Sequence, residues 1–116
     1  MRHWDAGETV AATEDGRFRR MLVFEDRVRS AFLGYAPGDS VHLHAHLESD
    51  EVFFVVSGSA EFEVADELVD VSAGDLLHVA AGELHAIRIG DEGLVLLAVV
   101  APNREDAWVP GEEGTA

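Results

Sequence analysis

Glycine-centred turns cut this chain into short pieces, and no other feature restricts its fold as tightly. Ala36-Pro37-Gly38-Asp39, Ser57-Gly58-Ser59, Ala65-Asp66-Glu67, Ser72-Ala73-Gly74, Ala81-Gly82-Glu83 and Gly90-Asp91-Glu92-Gly93 follow one another through its middle. Between them lie Val41 to His46, Glu51 to Ser57, Ala60 to Ala65, Leu68 to Val71, Asp75 to Val79, Leu84 to Ile89 and Leu94 to Val100, preceded by Phe18 to Phe24 and Val28 to Tyr35 around a Glu25-Asp26 turn. These pieces are β-branched and aromatic, and none sustains a 3.6-residue period. Turn signals every 8 to 12 residues or so predict an all-β sandwich or barrel opened by a hairpin.

Side-chain alternation adds two expectations. Phe62 and Val64 alternate with Glu61 and Glu63, the pattern of a strand with one face in a core and one in water. Glu51 to Val56 differs, because Phe53 and Val55 share the Glu51 face while Val52, Phe54 and Val56 make the other face equally apolar. Leu94 to Val100 is apolar throughout. Both segments are expected to be covered on two sides, by another sheet or another subunit.

The chain of 116 residues reads as one domain with a core at about 17–101, a loose arm or edge strand at 1–16 and a polar tail at 102–116. The tail has Trp108 and Val109 as its apolar residues, and its last six residues are read as mobile. No apolar run approaches the ~20 residues of a membrane span, and the first residues carry no apolar leader core, so a cytoplasmic location is expected. The formal charge is −15, from 23 acidic residues against eight arginines. A surface this acidic repels phosphate backbones and excludes nucleic acid as a partner. It also opposes anionic substrates unless arginines line the entrance.

With no cysteine, disulfides, thiolate nucleophiles and thiolate metal sites are excluded, so any metal must be held by histidine and carboxylate. His44 and His46 lie two apart on a predicted strand, roughly 6.6 Å along the backbone and on one face. A turn at Leu47 to Asp50 returns Glu51 beside them, and His85 is the candidate fourth ligand. Three imidazoles and a carboxylate suit one divalent transition metal and leave positions open for a substrate. His42 should share the face of His44 and His46, which makes it the candidate catalytic proton carrier. The facing of His78 is left open by its neighbours Leu77 and Val79. His3 belongs to the arm, and Arg88 falls opposite His85 as a surface charge.

These segments resemble the two motifs of the cupin superfamily. Gly38, His44, His46, Glu51 and Gly58 match Gly-x5-His-x-His-x4-Glu-x6-Gly throughout. In the second motif Gly74, Gly82 and His85 match, while Ala80 stands where proline belongs and Ile89 where asparagine belongs. The resemblance implies a cupin-type jelly roll, the double-stranded β-helix barrel, with iron, manganese, zinc or nickel on His44, His46, Glu51 and His85. It further implies a small-molecule substrate and allows dioxygenation, isomerisation, decarboxylation or lyase chemistry without choosing among them. Dioxygenase-type chemistry is the favoured reading, with non-catalytic ligand binding or sensing as the alternative from another class. Cupins commonly pair through their sheets. Together with the two-faced apolar strands, this predicts a homodimer that packs sheet on sheet or exchanges an N-terminal strand.

Overall fold

In a computed structural model the described residues are 1–11 and 16–104, with the backbone of 108–110. Among them are one short helix, α1 (Ala6–Ala11), and eight strands: β1 (Phe18–Phe24), β2 (Arg29–Tyr35), β3 (Ser40–His46), β4 (Asp50–Val64), β5 (Glu67–Ser72), β6 (Leu76–Val79), β7 (His85–Ala101) and β8 (Trp108–Pro110). The all-β barrel expected from the turn pattern is present. The arm is neither loose nor a strand where α1 forms. Asp5 caps that helix by accepting the Glu8 N–H at 2.9 Å, one half of a capping box. No described helix is long and apolar enough to cross a membrane.

Two of the expected turns do not turn the chain back. Ser57-Gly58-Ser59 lies inside the fifteen-residue β4, and Gly90 to Gly93 lies inside the seventeen-residue β7. The two strands pair antiparallel from Asp50↔Ala101 to Val64↔His85, with register shifts at Val55/Ser57 and Gly58/Ala60. At these shifts Gly58 (φ 84°) lies against Gly93 (φ 74°), and a Cβ on Gly58 would overlap the Gly93 carbonyl. A glycine with positive φ inside a strand can thus mark a bulge, where a long strand bends without ending.

Each bend divides its strand between two sheets. On one side the order is β6, β4, β7, β2, β1, and on the other β5, β4, β7, β3, β8. The sheets face each other around Phe53, Val55, Phe62, Leu94, Leu96 and Ile87, with the Phe53 and Phe62 rings 5.2 Å apart. The tail supplies β8, whose backbone pairs with β3 at His44, Ala45 and His46. The expectation for the last six residues falls outside the described ones.

Among the described residues the outer face of Glu51 to Val56 is left open, short of the two-sided cover expected for it. Val52 and Phe54 remain 39% and 37% exposed, and Leu76, paired with Phe54 on β6, is 68% exposed. On β7 the covered face is the inner one, where Leu94, Leu96, Ala98 and Val100 are buried, while Val95, Leu97 and Val99 on the outer face are only half-buried.

Candidate metal centre

The register explains how residues far apart in sequence converge. His44 pairs with His85 across β3 and β7, and Glu51 stands on the facing sheet at the start of β4. Candidate ligand atoms of His44, His46 and His85 all lie within 4.8 Å of one another. Glu51 Oε1 is 3.4 Å from His46 Nε2 and 3.3 Å from His85 Nε2. His85, Glu51 and His46 are buried, whereas His44 is half-buried at the cavity.

Backbone carbonyls fix two of the rings. A carbonyl can only accept, so His44 Nδ1–H donates to the His42 carbonyl at 2.7 Å and His85 Nδ1–H donates to that of Glu83 at 3.1 Å. In a neutral ring each bond leaves the Nε2 lone pair bare. The lone pair of His85 Nε2 therefore confronts the Glu51 carboxylate oxygen. Both atoms are buried without a hydrogen bond, as is His46 Nδ1. Unsatisfied buried polar groups cost about 1–3 kcal/mol each, and bare acceptors facing each other repel. A cation between His85 Nε2 and Glu51 Oε1 satisfies both of those atoms, so the residues fit a divalent metal. Burial, more than any neighbour, holds His44 and His46 below the usual imidazole range, which keeps them in the neutral form that ligates.

A cavity of about 300 Å³ opens beside the cluster, at the low end of small-molecule sites. Val41, His44, His46, Glu51 and Phe53 line one part of it, and Arg29, Ala31, Leu33 and Tyr35, alternate residues of β2, line another with Arg19 and Met21 of β1. Burial, then the Glu51 charge, pushes the Tyr35 phenol above its usual value, so it stays protonated and can donate a hydrogen bond.

The structure brings together His44, His46, Glu51 and His85 and places His42 elsewhere. The expected alternation fails at a register shift between Val41 and His44. Val41 therefore joins the cavity wall, while His42 is exposed and lines a separate depression with Ser40, Glu61, Glu63 and Arg88. The carbonyl of His42 serves the cluster; its ring does not line the cavity. His78 is exposed and 2.9 Å from Asp50, away from the cavity. Arg88 pairs with Glu61 at 3.1 Å on the surface, as alternation predicted. The sequence reading missed Arg19, Arg29 and Tyr35. For Arg29 and Tyr35 the signal was the period-two run Arg29, Ala31, Leu33, Tyr35, legible only once β2 is known to line the cavity.

Comparison with known proteins adds the family. Residues 31–100 match the cupin domain model. The pectin degradation protein KdgF of Dickeya dadantii is 27% identical over 92 residues, covering 79% of this chain and 84% of that protein. An oxalate-binding protein of Thermotoga maritima is 35% identical over 65 residues, covering 55% of this chain and 54% of that protein. A Klebsiella pneumoniae protein with a double-stranded β-helix domain superposes with a TM-score of 0.80 at 22% identity, covering 97% of this chain and 99% of the other, which shows a shared fold. The double-stranded barrel, the converging histidines and the family match over most of the chain lead to one conclusion: this chain belongs to the cupin domain family.

Proposed function

We propose that the protein is a metal-dependent enzyme that holds one divalent transition metal on His44, His46, Glu51 and His85 and acts on a small organic molecule in the adjoining cavity. The observation that carries this reading is the bare Nε2 of His85 set against the buried Glu51 oxygen, an arrangement unfavourable without a cation. A bound divalent ion supplies Lewis acidity and, if it is iron, one-electron chemistry with dioxygen, which makes dioxygenase-type chemistry the favoured reaction. The chain's own residues do the rest. The carbonyls of His42 and Glu83 hold two rings in the ligating tautomer. Phe53, Val41 and Leu33 keep the cavity wall apolar, which limits water and strengthens electrostatic interactions within it. Tyr35 offers a neutral hydroxyl donor.

Fold alone does not choose a reaction, and the two named relatives differ, one in pectin degradation and one in oxalate binding. Likeness to the second favours an alternative in which the same pocket captures a ligand without turnover. Metal analysis of protein purified without a chelating tag, followed by oxygen uptake with small organic acids and diols, separates the two. Iron with substrate-dependent uptake is the expected result. Stoichiometric metal with tight ligand capture and no turnover of any kind would replace the enzyme reading by the binding one.

We also infer a homodimer through the outer face of the β6-β4-β7-β2 sheet, where Phe54 sits between Leu76 and Leu97 and Val52 beside Val99. A stable interface there should bury more than about 1,000 Å² in total. Because each chain carries −15, the pair should tighten as salt screens the repulsion. Sedimentation at micromolar concentration checks this, and a monomer at both low and high salt rejects it.

A further inference from the structure

We propose that the ligand of this cavity is a small carboxylate anion, held by Arg29 and guided inward by Arg19. This rests on the reading of the cavity as the substrate site and names the substrate class.

Three observations carry it. First, the register sets Arg29, Val100 and Glu51 in one row across β2, β7 and β4. Arg29 and Glu51 are thus about 10 Å apart at the backbone, and both line the cavity. Second, Arg29 is half-buried and has no carboxylate partner among the described residues. Its one hydrogen bond, NH1 to Asn103 Oδ1 at 2.8 Å, fixes the side chain without neutralising it and leaves the rest of the fork for a ligand. Among the described residues Arg2, Arg17 and Arg88 find carboxylates, and Arg19, Arg20, Arg27, Arg29 and Arg104 do not. Of these five, Arg20, Arg27 and Arg104 are exposed to water away from the cavity, whereas Arg29 is half-buried in its wall. Third, Arg19 is exposed at the cavity rim, and Glu51 is the only carboxylate among the described lining residues.

Among the described lining residues two guanidinium groups stand against one carboxylate, which makes this lining locally positive inside a strongly negative molecule, before any metal is added. Field lines from a small positive mouth in an acidic surface draw in anions that the rest of the chain repels. A planar carboxylate matches the planar fork of Arg29, and the Tyr35 hydroxyl is a neutral donor at the same wall. A neutral diol or sugar would leave Arg29 half-desolvated and without a counter-ion. A larger polyanion would meet the acidic exterior.

The test uses oxalate, oxamate and oxamide, which keep one size and shape while the charge falls from two to one to none. Each is titrated by calorimetry into the metal-loaded protein, with metal content measured before and after. Affinity should fall at least ten-fold at each step. Arg29→Gln should weaken oxalate at least ten-fold with metal content unchanged, and Arg29→Lys should lose less, since charge survives but the fork does not. Arg19→Gln should weaken oxalate about three-fold at low salt and not at high salt. Equal affinity for oxalate and oxamide overturns the proposal, as does an Arg29→Gln protein that is folded, metal-loaded and unchanged toward oxalate. If the chain takes up no metal, the metal reading fails separately. The same titrations on the metal-free protein then decide the anion proposal, which stands only if oxalate still outbinds oxamide and Arg29→Gln removes the difference.

Discussion

The apolar interior and the histidine cluster are built by the same strands and meet at Phe53, whose ring is 5.2 Å from Phe62 and 6.0 Å from His85. On one side Val55, Phe62 and Leu96 are fully enclosed and contain nothing that needs a partner. On the other, equally buried nitrogen and oxygen atoms have none. The first region stabilises the fold without help. The second is tolerable because the first over-determines the backbone that holds it, and its unfavourable contacts become favourable when a cation arrives. One aromatic ring, rather than a domain boundary, thus separates the apolar interior from the candidate metal centre.

The largest expected effect sharpens that division. Phe62→Ala should cost about 3–5 kcal/mol, a large part of the roughly 5–15 kcal/mol available to a domain. Urea denaturation of the metal-free chain should show His85→Ala costing less than half as much, although His85 is 1% exposed, because its removal also relieves the confrontation with Glu51. Equal losses would break the comparison. Next in size is the metal. At a free concentration of 100 times Kd it should stabilise the native chain by about 2.7 kcal/mol, and His85→Ala should lose most of that gain while Phe62→Ala keeps it in whatever fraction folds. Thermal unfolding with and without metal reads this directly.

The bends give a smaller effect. Gly58→Ala must accommodate both φ 84° and a Cβ pressed into the Gly93 carbonyl, so it should cost well over 1 kcal/mol. Gly74→Ala has φ 95° but open space around it and should cost about 1 kcal/mol. Chemical denaturation of the pair distinguishes strain from overlap, and equal costs would mean that the β4–β7 contact is not what shapes the barrel.

The mildest probe is pH. His44 and His46 have folded values below 6.5, so the unfolded chain binds protons first as pH falls. Their contribution is intact above about 6.5 and is lost progressively below it. Asp39, held to about 2 by the Arg17 guanidinium and the Ala36 N–H, contributes above 3.8 and loses that contribution between 3.8 and about 2. Stability of the metal-free chain should therefore decline in two separate windows. A flat profile between pH 6.5 and 4.5 would mean that the histidines are not desolvated as the structure has them.

Much of this was legible in the residues. The turn spacing, the alternation of Phe62 and Val64 with glutamates and the His-x-His pair with Glu51 and His85 each express a local rule, that strands alternate and that ligands sit at fixed offsets. Those rules hold wherever the strand is regular, so the all-β class and the four converging side chains followed from sequence alone. They fail where pairing with a distant strand overrides local geometry. A bulge opposite β7 turned His42 outward, bends at Gly58 and Gly93 joined what read as separate strands, and β8 formed at Trp108 and Val109 in a tail that read as otherwise polar. Which arginines face the histidines was likewise undecidable from β1 and β2 themselves, since either face of a hairpin can be the inner one until another sheet packs against it. Sequence determined the all-β class and the placing of His44, His46 and Glu51 together, because alternation and turn spacing are set within a few residues. The tertiary structure decided register and facing, and with them which charges line the cavity, because those depend on contacts between residues dozens of positions apart.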